Sequence, residues 1–199
     1  MYSRFLRKVV KRLNAKHNSE ELLKSSTQGR INRKIKFIAW DDMYRGWSTA
    51  ELDMLKVKNE HLIEPCIWSY PGDRDTFDQI TSGPQLGSTL VNFPKIWVAS
   101  AFKGCYQPSS TCIDHELRFL NQSLWVEFTK RCNFKDKIQG IILTGWSRFT
   151  HETVLCELLP MSVPSLTLCL AVIDQQRLNY EIMFQDLIKT LLINPKCLK

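Results

Sequence analysis

Four short apolar runs, each closed by a polar or aromatic cluster, constrain this chain more than any other feature. The runs are Ile35–Trp40, stopped by Asp41-Asp42; Leu62–Trp68, ended by Tyr70-Pro71-Gly72-Asp73; Lys95–Phe102, ended by Lys103-Gly104; and Ile138–Leu143, ended by Thr144-Gly145-Trp146-Ser147-Arg148. Each reads as a strand, and helix-length chain separates them. Alternating strands and helices argue for an α/β fold with a parallel sheet. The last run is the most informative. A strand that delivers an aromatic and a cation to its C-terminal end, then turns toward a helix, is how α/β barrels build their sites. A buried strand followed by an ordinary loop has the same spacing.

The intervening segments are unequal in quality. Phe5, Leu6, Val9, Val10 and Leu13 form one helical stripe, and residues 14–33 read as a polar loop or insertion. Ser48 and Glu51 have the spacing of a capping box at the head of a short helix. The 74–94 segment reads as a poor helix, broken by Gly83, Pro84, Gly87 and Pro94. Ile113, Leu117, Leu120, Leu124 and Phe128 recur at helical spacing, and 114–130 has no breaker. Further helical patterns fall at about 152–159, 165–176 and 180–193, so that 177–199 reads as a C-terminal helix. With 199 residues, the whole chain (1–199) is expected to form one domain-sized unit.

Charge is unevenly placed. The net charge is +7, yet residues 1–36 hold eleven lysines and arginines against two acids, and the remainder holds sixteen against eighteen. A basic N-terminal segment can contact nucleic acid or an anionic surface. Its aromatics are not interleaved with its cations as a single-strand-binding groove would require, so a solvated helix face and a basic loop are favoured, with no nucleic-acid partner. No stretch approaches the roughly 20 apolar residues of a membrane span, and no membrane partner is expected. The N-terminal MYSRFLRKVVKRL carries too many cations for the core of a signal peptide. Seven cysteines form no CxxC pair, which speaks against zinc and against a disulfide framework. Cys66, Cys156 and Cys169 sit in apolar runs and read as reduced core residues. An intracellular location, cytoplasmic or nuclear, is the expectation.

In parallel sheets the C-terminal strand ends carry the ligand site. Here those ends collect Trp40, Asp41, Asp42, Trp68, Tyr70, Lys103, Trp146, Arg148 and His151. Tryptophan is costly to bury completely because its N–H needs a partner, so three of them at equivalent ends suggest a function. Aromatics and acids around one mouth suit a carbohydrate: rings pack on sugar C–H faces and carboxylates take hydroxyls. Tryptophans plugging the end of a barrel would be the structural alternative.

Four stretches together resemble the hexosaminidase D branch of glycoside hydrolase family 20. They are Trp40-Asp41-Asp42-Met43; Glu64-Pro65-x-x-Trp68-x-Tyr70; Ala99-Ser100-Ala101-Phe102-Lys103-Gly104; and Gly140 to Arg148, continuing through His151 to Cys156-Glu157-Leu158-Leu159-Pro160. The resemblance covers about residues 1–172 and implies a partial TIM (β/α)8 barrel of about four C-terminal βα units. It implies removal of terminal N-acetylhexosamines with retention, the sugar's acetamido oxygen acting as nucleophile, with no metal and no cofactor. Such enzymes stand outside the usual two-carboxylate scheme.

The family's general acid is the Glu of an Asp-Glu pair after the fourth strand, and no Asp-Glu dipeptide occurs in this sequence. What the resemblance carries over is the sugar pocket: Trp40 and Trp146 as aromatic walls, Tyr70 near the acetamido oxygen, Asp41 or Asp42 on sugar hydroxyls or on the missing pair, with Trp68 and Arg148 also among the substrate-binding residues. Many members have Trp-x-Glu where this chain has Trp146-Ser147-Arg148, with Glu152 and Glu157 the nearby acids. The implied partner is an N-acetylhexosamine-containing glycan. Self-association through open sheet edges is also expected. Three functions stay open at this point: a hexosaminidase, a non-catalytic sugar- or partner-binding remnant, and a basic nucleic-acid-binding protein.

Overall fold

Strand pairing organises the molecule. The computed structural model describes residues 36–57, 60–61, 63–83, 86–87, 89, 92–104, 107–156, 159–175 and 179–191, together with Lys8, Arg12 and Ala15, which are helical. The expected helix at 3–13 and the loop at 14–33 otherwise lie outside the described residues. Four strands form one sheet: β1 (Ile38–Trp40), β4 (Glu64–Trp68), β5 (Ile96–Lys103) and β6 (Ile138–Gly145), in that spatial order. Every pairing in it is parallel, with Trp40 opposite Cys66, Trp68 opposite Ala99, and Ala101 opposite Thr144. The four strands fall where the apolar runs placed them, and helices alternate with them as an α/β fold requires. Neighbours in sequence are neighbours in space, as in successive βα units of a barrel.

The helices between them have identifiable caps. α1 (Thr49–Asp53) opens with the capping box read from the sequence: the Ser48 side chain accepts from Glu51 N, and the Glu51 carboxylate takes Ser48 N at 2.8 Å. β2 (Lys56–Val57) and β3 (Glu60–His61) form a small antiparallel pair that the sequence did not announce. α2 (Arg74–Ser82) corrects the reading of 74–94 as a poor helix. Asp73 caps it by accepting from Thr76 N at 2.8 Å, and the helix runs regularly until Gly83. Gly83, its C-cap, ends it rather than preventing it.

α3 (His115–Arg131), capped by Asp114, spans the expected interval but not with the expected face. Leu120, part of the sequence stripe, is exposed, while Arg118, Phe119, Asn121, Gln122, Trp125 and Val126 are buried. The helix is covered on two sides, so a single apolar stripe cannot describe it. One side carries Leu124 and Trp125 into a core with Ile67, Phe77, Phe93, Ile96 and Val98. The other side carries Phe119 and Val126 against Leu168, Val172, Met183 and Leu187. Those last residues belong to α4 (Leu159–Gln175) and α5 (Tyr180–Leu191).

The 152–159 pattern is not helical over 152–156. Arg148 bridges Leu155 in antiparallel fashion, and Thr153 exchanges bonds with Thr150. Short hydroxyl side chains that bond the local backbone compete with helical ladders. α4 starts earlier than expected and contains Pro164, which costs the helix one backbone bond. Cys66, Cys156 and Cys169 are free and buried, as read. Burial pushes the thiols of Cys66 and Cys169 up to about 12, so both stay protonated. No helix among the described residues is long and apolar enough to cross a membrane.

Candidate functional site

The C-terminal ends of β1, β4 and β6 bring the tryptophans together. β1 ends at Trp40 and passes into a 3-10 turn, Asp41–Met43. That turn sends Asp41 inward, fully buried, and leaves Asp42 exposed. β4 delivers Trp68, and two residues later Tyr70 stacks on it, with ring centroids 5.2 Å apart. β6 delivers Trp146, whose ring lies 5.5 Å from that of Trp40.

Polar atoms tie the rings into one wall. Trp146 Nε1 donates to Tyr70 Oη at 3.1 Å, and Trp68 Nε1 donates to Asp42 Oδ1 at 3.3 Å. The order Asp42, Trp68, Tyr70, Trp146, Trp40 is therefore continuous, and each indole N–H named has the partner that a half-buried tryptophan needs. Trp146 is 36% exposed, enough to offer a ring face.

Arg45 is the residue that sequence reasoning missed. It donates from Nε to Asp41 Oδ2 at 2.5 Å and from Nη2 to Asp41 Oδ1 at 2.9 Å. Nη2 also donates to the Trp68 carbonyl at 2.8 Å, and the guanidinium lies 5.1 Å from the Trp68 ring centroid. One side chain thus joins the end of β1 to the end of β4, using the fork geometry and cation–π capacity particular to arginine. Both Asp41 oxygens are occupied by this pair. Burial raises the Asp41 pKa, and the hydrogen bond and charge of Arg45 oppose that shift. The signal was visible only as an i, i+4 Asp–Arg pair in a stretch with too few helical neighbours to attract attention.

Lys103 and Gly104 hold Trp146 from below. Trp146 N donates to the Lys103 carbonyl at 3.1 Å, and Lys103 Nζ donates to the Trp146 carbonyl at 2.5 Å. Gly104 has φ +81°, and a Cβ there would lie 1.6 Å from the Trp146 carbonyl oxygen. Only glycine allows that approach.

Arg148 has a different setting. Its Nη1 donates to the Thr153 carbonyl at 3.0 Å, within its own loop, and the side chain is exposed. His151 and Glu152 are exposed in the same loop, and Glu157 lies outside the described residues. Among the described residues, no group of three or more His, Cys, Asp or Glu could hold a metal ion.

No family model matches the chain. Two curated relatives do. Human (Homo sapiens) hexosaminidase D is 40% identical over 135 residues, which are 67% of this chain and 26% of that protein. The hexosaminidase D of Bos taurus is 38% identical over 135 residues, 67% of this chain and 37% of that protein. The chain therefore spans about a quarter to little more than a third of the relatives' length. Over two thirds of its residues this chain is a homologue of the proteins named hexosaminidase D, and it corresponds to a part of them.

Proposed function

We propose that residues 38–146 carry the sugar-holding wall of a β-N-acetylhexosaminidase, and that the chain from 1 to 199 is one portion of the hydrolase barrel. The observation that supports this most is the bonded sequence of rings from three strand ends, Trp68 on Tyr70, Tyr70 to Trp146 and Trp146 beside Trp40. Flat apolar faces with polar edges match a pyranose, whose C–H faces stack while its hydroxyls need bonds. Asp42, exposed beside Trp68, is the acid placed for hydroxyls. Asp41 anchors Arg45 instead. The Tyr70 hydroxyl, which accepts from Trp146, is assigned to the acetamido oxygen as charge develops there.

The substrate class is a terminal N-acetylhexosamine of a glycan or glycoconjugate. The general acid and the carboxylate that orients the acetamido group are not among these residues, because the sequence has no Asp-Glu dipeptide. The same fact favours the second reading, a chain that binds the sugar without cleaving it. General acid catalysis contributes about 10²–10⁴-fold in rate. We therefore expect no measurable release of chromophore when the purified chain is given a chromogenic N-acetylgalactosaminide. Turnover that co-purifies with the chain and is lost in Trp146→Ala would show that it carries its own acid.

A further inference from the structure

A pair of buried side chains on α3 holds the loop that carries Tyr70. Asn121, fully buried, donates from Nδ2 to the Ser69 carbonyl at 3.1 Å and to the Pro71 carbonyl at 2.8 Å. One amide group thus bridges the carbonyls on both sides of residue 70. Trp125, one turn along the same helix and also fully buried, donates from Nε1 to the Ser69 carbonyl at 2.9 Å. Two carbonyls can be met only by the NH₂ end of the amide, so the chemistry sets its orientation. The helix also closes tightly on the turn: a Cβ at Gly72 would lie 3.1 Å from the Leu117 side chain. A polar side chain with no exposure belongs in a core only when its bonds do something an apolar residue cannot. Here those bonds restrain a loop that no strand pairing restrains.

We infer that Asn121, with Trp125, positions the aromatic wall from behind: it sets the backbone at Tyr70, hence the Trp68–Tyr70 stack and, through the Tyr70 hydroxyl, the Trp146 indole. Neither residue belongs to the wall: Asn121 acts through the carbonyls of Ser69 and Pro71, and Trp125 through that of Ser69. The positioning stands on the hydrogen bonds alone; its consequence for sugar binding rests on the function proposed above.

Fluorine NMR of the full chain labelled with 5-fluorotryptophan tests this. The six tryptophan resonances are assigned by replacing each with Phe. Asn121→Asp keeps the shape and at most one donor. It is expected to shift the resonances of Trp40, Trp68 and Trp146 while Trp47 and Trp97 stay in place. Trp125→Phe, which removes the N–H and keeps a buried ring, should give the same selective pattern if the first variant fails to fold. Val126→Ala, on the face of the helix turned toward α4 and α5, should lower the melting temperature without moving the wall resonances. N-acetylglucosamine serves as the sugar probe. If it perturbs the wall resonances of the wild type, its apparent affinity should fall about tenfold in Asn121→Asp, the scale of one lost hydrogen bond. If it perturbs none in the wild type, the sugar reading fails while the selective shifts still support the positioning role. Unmoved wall resonances in Asn121→Asp would overturn the inference. So would equal movement of Trp47 and Trp97, or loss of dispersion across all resonances in both variants, since either would describe a general structural role.

Discussion

Arg45 shows how one side chain can tie two strand ends together at the edge of an aromatic wall. Asp41 is buried, and its carboxylate is tolerable there because the guanidinium meets both oxygens. Arg45→Met should cost on the order of 3 kcal/mol, the range for removing one member of a buried pair. The pH dependence has a definite sign. The folded-state pKa of Asp41 is raised above its ordinary value, chiefly by burial. The folded chain then binds more protons than the unfolded chain in that interval, so this group's contribution to stability is lost as pH rises through the folded pKa. Without Arg45 the rise is larger. Urea unfolding of Arg45→Met should show a greater deficit at pH 8 than at pH 5, and an equal deficit at both would mean that the carboxylate never depended on this partner. Neither half of the pair was legible as a pair. Asp41 drew notice as a strand-end acid, but its inward direction comes from the 3-10 turn, which no periodicity announces. Trp40, Trp68, Tyr70 and Trp146 were legible because Trp40 and Trp68 end strands, Trp146 follows one directly and Tyr70 lies two residues beyond another, and strand ends in a parallel sheet converge. Arg148 sits just two residues beyond Trp146, yet the local Thr150–Thr153 turn and the bridge to Leu155 set its direction.

The elements repeat the lesson with different physics. Strands and capped helices were readable because their signals are local: short apolar runs closed by polar clusters, a capping Ser48, an unbroken stretch before Arg131. The face of α3 was not readable, since tertiary neighbours on two sides decide it, and its buried Asn121, Gln122 and Arg118 look like surface residues in a sequence. Gln122 bonds Ser100 of β5 across the layer, at 2.5 Å. The β5–β6 connection carries a further constraint. Gly104 combines a left-handed φ with a site where any Cβ would run into the Trp146 backbone. Adopting that φ costs an L-residue roughly 1–2 kcal/mol before any clash, and the overlap must then push either Trp146 or the end of β5 aside. Gly104→Ala is accordingly expected to lose at least about 2 kcal/mol and to change the near-ultraviolet circular dichroism of the coupled tryptophans. A thermal melt and spectrum matching the wild type would show that the two strand ends are not packed as described.

Across the whole molecule, burial grades from the centre of the sheet to its sides. Ala99 and Ala101 of β5 are fully buried, whereas Ile141, Ile142 and Leu143 of β6 are half-buried and Ile38 of β1 is exposed. Small alanines are thus covered at the centre of the sheet, while β1 and β6 stay more open. Among the described residues each is the outer strand of the sheet, with no strand paired on its other side. Closed barrels remove such edges, and an open one invites pairing. Light scattering should show mass rising with concentration. A monodisperse monomer over the range of about 10 to 500 µM would mean that other parts of the chain cover both edges.

We propose that the rings at the ends of β1, β4 and β6 hold an N-acetylhexosamine. Saturation-transfer NMR with N-acetylgalactosamine and the full-length chain tests it most directly. Transfer to the sugar's ring protons and acetyl methyl is expected, with affinity weakened about tenfold, or about 1.4 kcal/mol, in Trp146→Ala. No transfer to the wild type at millimolar sugar, or transfer undiminished in Trp146→Ala, would contradict it.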